Sequence, residues 1–175
     1  YGETYFGGNE LDYDVVKAGL GDVGGTELSA GNDQAWQQLF NYGEAIAANI
    51  NTNANLYWTM QGLNPDGTRN PSLPVLLDVD NLITFMSIVI FTGGYDTGIS
   101  QFLGDNLANN WFGIYNRETA DRGFQFYVHD NEHSLGAGNP LHSTANMDRT
   151  GPFNNGNQSN YSQFNPQYLH QDLLQ

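Results

Sequence analysis

Asp80-Asn81-Leu82-Ile83-Thr84-Phe85-Met86-Ser87-Ile88-Val89-Ile90-Phe91, followed by Gly93-Gly94, is the most strongly patterned stretch of the chain. Leu82, Ile83, Phe85, Met86, Val89 and Ile90 recur at three-to-four spacing, so the stretch predicts a helix capped by Asp78 or Asp80 and ended by the glycine pair. It is apolar nearly all round, the pattern of a central core helix. At 1.5 Å per residue it spans roughly 18 Å, short of the roughly 20 residues that a bilayer requires. Downstream lie two aromatic, β-prone runs, Trp111-Phe112-Gly113-Ile114-Tyr115 and Phe124-Gln125-Phe126-Tyr127-Val128, joined by a polar connection. They predict a hairpin. Core helix and hairpin together make the fold α+β.

Working outward, Tyr13-Asp14-Val15-Val16-Lys17 alternates weakly and is β-branched, which predicts a short strand. Gly19 to Gly31 is glycine-rich and reads as a loop. Asn32 or Asp33 then caps a helix carrying Ala35, Trp36, Leu39, Phe40, Gly43, Ile46 and Ala47 on one face. Asn49 to Asn55 is a break or that helix's polar end. Asn64-Pro65-Asp66-Gly67-Thr68 lies within a turn-rich loop from Leu63 to Pro71; it has half of a calcium-loop pattern but lacks the carboxylates at its ends. Asn139 to Asn165 reads as loop, and a last helix begins near Pro166.

Composition narrows the function. The chain has 175 residues, enough for one domain with a sizeable core. Its net charge of -14 argues against duplex nucleic acid or an anionic membrane as partner, because both call for a basic surface. With no cysteine there is no disulfide framework, thiolate metal site or cysteine nucleophile. Low charge content and many glycines and asparagines suggest an extracellular or periplasmic setting. The chain opens without Met or a signal peptide and reads as a piece of something longer.

The densest chemistry is His129-Asp130-Asn131-Glu132-His133. Literally this is the inverted zinc-peptidase pattern H-x-x-E-H, which needs both imidazoles on one helical face. The segment instead leaves a strand and runs into Gly136 to Pro140, which does not sustain a helix. A strand that ends in an acidic residue, followed by a glycine-containing loop, is how a kinase-like site presents its metal-binding Asp. Asp130 has that position, and Asp96 follows the core helix in a loop where it can orient a hydroxyl. The order of core helix, Asp96, Asn109-Asn110 opening a strand, and Asp130 closing its partner repeats that of a kinase catalytic segment.

Several blocks in the same order are similar to the CotH kinase family, the spore-coat protein H-like atypical protein kinases, in the version found in large secreted bacterial proteins. They are Tyr5-Phe6-Gly7-Gly8 with Tyr13 to Lys17, Pro74 to Ile83, Asn109 to Ile114, Phe126 to Leu135, and Asp148 to Phe153. The resemblance implies the C-terminal lobe of a protein-kinase-like fold, mostly helices and loops, with the hairpin carrying the site. It makes residues 1–175 a single partial domain, without the upstream nucleotide-clamping lobe and the C-terminal end. It implies ATP and Mg²⁺ (or Mn²⁺) as cofactors, a protein Ser/Thr hydroxyl as acceptor, and other domains of a longer parent chain as neighbours. Asp96 takes the catalytic position, and Asn110 and Asp130 the metal and nucleotide ligands.

The chain departs from the pattern in three places. Asn110 lies fourteen residues after Asp96, where kinases have five, so either Gly98 to Ala108 is an insertion or Gln101 holds the amide role. Family members carry Trp before the metal Asp and a second Asp two residues after it; here His129 and Glu132 stand there, and Glu132 becomes a possible further metal carboxylate. Lys17, the only lysine, imitates the nucleotide lysine of a V-A-I-K strand, although the family resemblance places this strand after that lysine. The rival readings are a non-catalytic secreted binding or scaffold module of the same fold, nucleotidyl transfer, and the zinc peptidase.

Overall fold

Asp78 begins helix α5 (Val79–Thr92) by accepting a hydrogen bond from the Asn81 amide at 2.8 Å, and Gly93 ends it in the left-handed region at φ 60. The computed structural model describes residues 2–19, 25–104, 107–135, 149–150 and 161–174. Leu82, Phe85, Met86 and Val89 form the buried face of α5. Ile83 and Ile90, expected inside, are 55% and 38% exposed, and Phe91 is 84% exposed. The helix is therefore not a central one. It lies with one face on the sheet, and composition alone could not distinguish a helix covered on one side from one covered all round.

Preceding elements are α1 (Gly2–Phe6), β1 (Tyr13–Ala18), β2 (Thr26–Ala30), α2 (Gln34–Ala48), α3 (Ile50–Asn53) and α4 (Asn55–Thr59). After α5 come β3 (Gly98–Ser100), β4 (Leu107–Asn109), β5 (Trp111–Asn116), β6 (Gln125–Val128) and α6 (Pro166–Asp172). β2, β1, β5 and β6 form an antiparallel four-stranded sheet in that order. The hairpin register pairs Trp111 with Val128 and Gly113 with Phe126. The fold is mixed α+β, with more sheet than the helix-and-loop reading expected.

Two segments read as loop contain strands. β2 falls inside the glycine-rich Gly19 to Gly31, where Thr26 to Ala30 zip onto β1. The stretch after Asp96 forms a small hairpin, with Gly98 opposite Asn109 and Ser100 opposite Leu107. Neither has the apolar alternation that marks a half-buried strand; both are set by their partners. Asn49 is a helix break, with two short helices after it. Of the expected loop from Asn139 to Asn165, only Arg149, Thr150 and the turn before α6 are described, and His142 lies outside the described residues.

The core lies between one face of the sheet and α2, α5 and α6. Trp36 is its hub, with ring centroids 5.4 Å from Trp111, 5.2 Å from Phe124 and 4.6 Å from Phe164. Trp36 and Trp111 are thus core residues, as edge and tilted aromatic packing favours. α5 is also tied to β6 by polar bonds. The Asn81 side chain accepts from the Phe126 amide and donates to its carbonyl, and Gln125 donates to Asp78 at 2.7 Å. These bonds set the end of β6, and so Asp130, relative to the helix that launches Asp96. Among the described residues no helix is long and apolar enough to cross a membrane.

Candidate functional site

The loop from α5 to β3 presents Asp96, and five hydrogen bonds hold it. Gln101 donates its amide to the Tyr95 carbonyl at 2.9 Å, and Tyr95 donates to the His133 carbonyl at 2.9 Å. Gln167 of α6 accepts from the Ile99 amide at 2.8 Å, and the buried Arg149 guanidinium donates to the Thr97 and Ile99 carbonyls. Gly98 has φ 72, and a side-chain carbon there would lie 2.5 Å from the Gln167 amide oxygen, so both conformation and space call for glycine.

The β3–β4 hairpin closes the gap between Asp96 and Asn110. The Asn110 amide nitrogen donates to Asp96 at 3.0 Å and to the Asp130 carbonyl at 3.3 Å. Asn109 also donates to Asp96 at 3.0 Å, and the Ser100 hydroxyl donates to its other carboxylate oxygen. Asp96, Asn110 and the Asp130 backbone therefore meet. Asn110 thus has its side-chain amide on Asp96. Residues Asn110 and Asp130 adopt left-handed backbones, φ 53 and 50, which Asn and Asp tolerate better than most residues. The amide of His129 donates to the Asn110 carbonyl at 2.9 Å, which locks the two turns together.

With its NH₂ group committed to Asp96 and the Asp130 carbonyl, Asn110 keeps its amide oxygen for a ligand. Asp130, whose backbone carbonyl accepts from Asn110, is itself exposed. An amide oxygen and a carboxylate suit a hard cation. Among the described residues, however, no three His, Cys, Asp or Glu side chains are grouped to hold a metal. Asp96, Asp130 and Glu132 are therefore not a three-carboxylate cluster. The donor set fits Mg²⁺, which is commonly held by one or two protein carboxylates together with phosphate oxygens.

Glu132 is exposed and lies 3.5 Å from the His133 imidazole. Residues 129–135 are not helical. The His129 ring packs edge-on to Phe112 at 5.2 Å and that of His133 to Phe102 at 4.9 Å, so the two imidazoles rest on different aromatic residues. The helical face that an H-x-x-E-H zinc site needs is absent here. Asn131 acts as a brace, accepting from Thr97 at 2.8 Å and donating to Thr92 at 3.4 Å.

Beside these groups the outer face of the sheet forms a groove of about 740 Å³, lined by Val15, Phe112, Ile114, Tyr127, Val128 and His129 among others. A second cavity, of about 150 Å³, is lined by Lys17, Asn109, Asn110, Phe112 and His129. Phe112 and His129 belong to both. Lys17 is paired with Glu27 of β2 at 3.2 Å.

Ser100, Asn109, Asn131 and Gln167 shape this site without having been read as its supports. Their partners are backbone groups, carboxylates or threonine hydroxyls brought close only by folding, so spacing carried no sign of them. Comparison of the chain with protein-family models, curated proteins and solved structures finds no match, and the site's chemistry rests on its own residues.

Proposed function

We propose that this domain is the C-terminal-lobe-like part of a Mg²⁺-dependent phosphotransferase related to the CotH kinases, moving phosphate from ATP to a protein Ser/Thr hydroxyl. One observation carries the reading: Asp96, Asn110 and the Asp130 turn, far apart in sequence, are bonded together, and His129, next to Asp130 in the chain, lines a mainly apolar groove. A nucleotide needs such a pairing of a greasy shelf for its base and oxygen ligands for its metal and phosphates.

In this reading Asp96 accepts the proton of the attacking hydroxyl, and Asn109, Asn110 and Ser100 keep its carboxylate oriented. Phe112, Ile114 and Val15 exclude water from the base. Asn110 and Asp130 would hold Mg²⁺, which would supply neutralisation of phosphate charge. Proton transfer to a positioned carboxylate contributes about 10²–10⁴-fold in rate.

The rival is a secreted scaffold module. It is favoured by the three donors that already engage the Asp96 carboxylate, a pattern that also suits a structural Asp. The test uses the longer parent protein, Mg²⁺ and ATP labelled at the γ- or the α-phosphate, with candidate acceptor proteins. Transfer of the γ label, lost in Asp96→Asn and Asp130→Ala, supports the kinase. Transfer of the α label points to nucleotidyl transfer, and nucleotide binding without transfer to the scaffold.

A further inference from the structure

Helix α5 has a second apolar face. Away from Leu82, Phe85, Met86 and Val89, which pack inward, Ile83, Ile88, Ile90 and Phe91 are 55%, 40%, 38% and 84% exposed. At about 3.6 residues per turn, Ile83 and Ile90 form one rim of the outward face and Thr84 and Phe91 the other. Ser87 lies on the midline between them, in line with Asp80, the only charged residue of the helix. Leu135, whose amide donates to the Thr92 carbonyl at 2.7 Å, adds a further apolar side chain, 69% exposed, at the C-terminal end of α5.

The area and the pattern say what covers this face. Large side chains carry roughly 150–250 Å² each, so these five leave about 550 Å² of apolar surface on one copy, at the upper end for a monomer. Two such faces bury about 1,100 Å² between them, which clears the roughly 1,000 Å² expected of a specific contact. The face is also complementary to itself. A half-turn about an axis through Ser87, perpendicular to the helix, lays a second α5 antiparallel on the first. Positions 83 and 90, like 84 and 91, lie almost evenly about 87, so Ile83 of one copy meets Ile90 of the other and the small Thr84 receives the Phe91 ring. Ser87 meets itself at the axis, where a small side chain lets the helices approach closely. The two Asp80 carboxylates end up about 21 Å apart, beyond the screening length of physiological salt. An outward face with so little charge has nothing to pair with a charged ligand.

We propose that α5 is the two-fold contact of a homodimer, in which a second copy of this chain covers Ile83, Ser87, Ile90 and Phe91. None of these residues lines the groove or the small cavity beside Asn110, so the assignment stands apart from the phosphotransferase reading.

The chain has no cysteine, so a single one introduced on α5 reports only on its own counterpart. Ser87→Cys puts the two sulfurs at the axis, where helices roughly 8–10 Å apart bring facing Cα atoms into disulfide range. Asp80→Cys, on the same outward face, keeps them about 20 Å apart. Mild oxidation of the 175-residue chain should therefore link Ser87→Cys into a covalent dimer and leave Asp80→Cys unlinked. Sedimentation of the unsubstituted chain should show a reversible monomer–dimer equilibrium, strengthened by added salt because each copy carries a net charge of -14. Ser87→Glu, which sets two like charges at the axis, should weaken association at least tenfold, with far-ultraviolet circular dichroism confirming that the fold is kept. A chain that stays monomeric at every concentration overturns the dimer and leaves the face to a segment of the longer parent. A dimer indifferent to Ser87→Glu means that the copies meet elsewhere, and equal linking of the two cysteine variants reports random collision; either result also overturns the proposal.

Discussion

Asn110→Asp is a sharp probe of the site because it replaces one NH₂ group by an oxygen and changes almost no volume. In the native protein the Asn110 amide nitrogen lies 3.0 Å from an Asp96 oxygen as a donor. In the variant a carboxylate oxygen takes that place, and two unit charges that close repel by about 5 kcal/mol at an effective dielectric near 20, and by about 1.4 in water. Both residues are half-buried, and the lost hydrogen bond to a charged group adds about 1.5–3 kcal/mol. Rotation of the new side chain toward solvent relieves part of the repulsion, so a loss of about 3 kcal/mol at pH 8 is expected. The sign with pH follows from linkage. The crowded pair holds a proton in the folded state that the unfolded chain releases, so stability falls as pH rises above the ordinary carboxylate range and returns on acidification. Urea unfolding at pH 5 and pH 8 measures this. Millimolar Mn²⁺ or Mg²⁺ should recover part of the loss at pH 8, since a second carboxylate now faces the proposed cation position. Asn110→Gly serves as the control, keeping the left-handed backbone while removing the amide. Its loss should be smaller and independent of pH. Equal stability of Asn110→Asp and the native protein at pH 8 would refute the contact with Asp96.

Two further perturbations follow from the supporting structure. Burial, with the Glu44 charge adding to it, pushes the Asp172 carboxyl on α6 up to about 7, so the folded state binds the extra proton between 3.8 and 7. Native stability should therefore decline as pH rises through that window, by up to about 4 kcal/mol; Asp172→Asn should flatten the decline and be the more stable form at pH 8.5, and identical urea slopes against pH for the two proteins would sink this account. Gly98→Ala forces a side chain into a left-handed backbone and against Gln167, which should cost about 2–3 kcal/mol in chemical denaturation and loosen the Asp96 loop; a change below about 0.5 kcal/mol would show that the loop does not depend on this glycine.

What the sequence determined by itself is local. The period of Leu82, Phe85, Met86 and Val89, the cap at Asp78 and the glycines at 93 and 94 specify α5, because helix signals lie within one or two turns of the residues they govern. Aromatic alternation specifies β5 and β6 in the same way, and Asn165-Pro166 specifies the start of α6. The order of Asp96, Asn110 and Asp130 was likewise legible as a candidate set. Only the tertiary structure decided which faces are covered, leaving Ile83 and Phe91 outside, and whether the candidates meet. The thirteen residues between Asp96 and Asn110 are closed by a hairpin whose strands carry almost no pattern of their own. Lys17 acquired its partner because Glu27, in a stretch that reads as glycine loop, pairs across β1 and β2. Gln167 reaches Ile99 across 68 residues. Contacts of that kind depend on loop closure and on the sum of packing elsewhere, and no short window of residues encodes them.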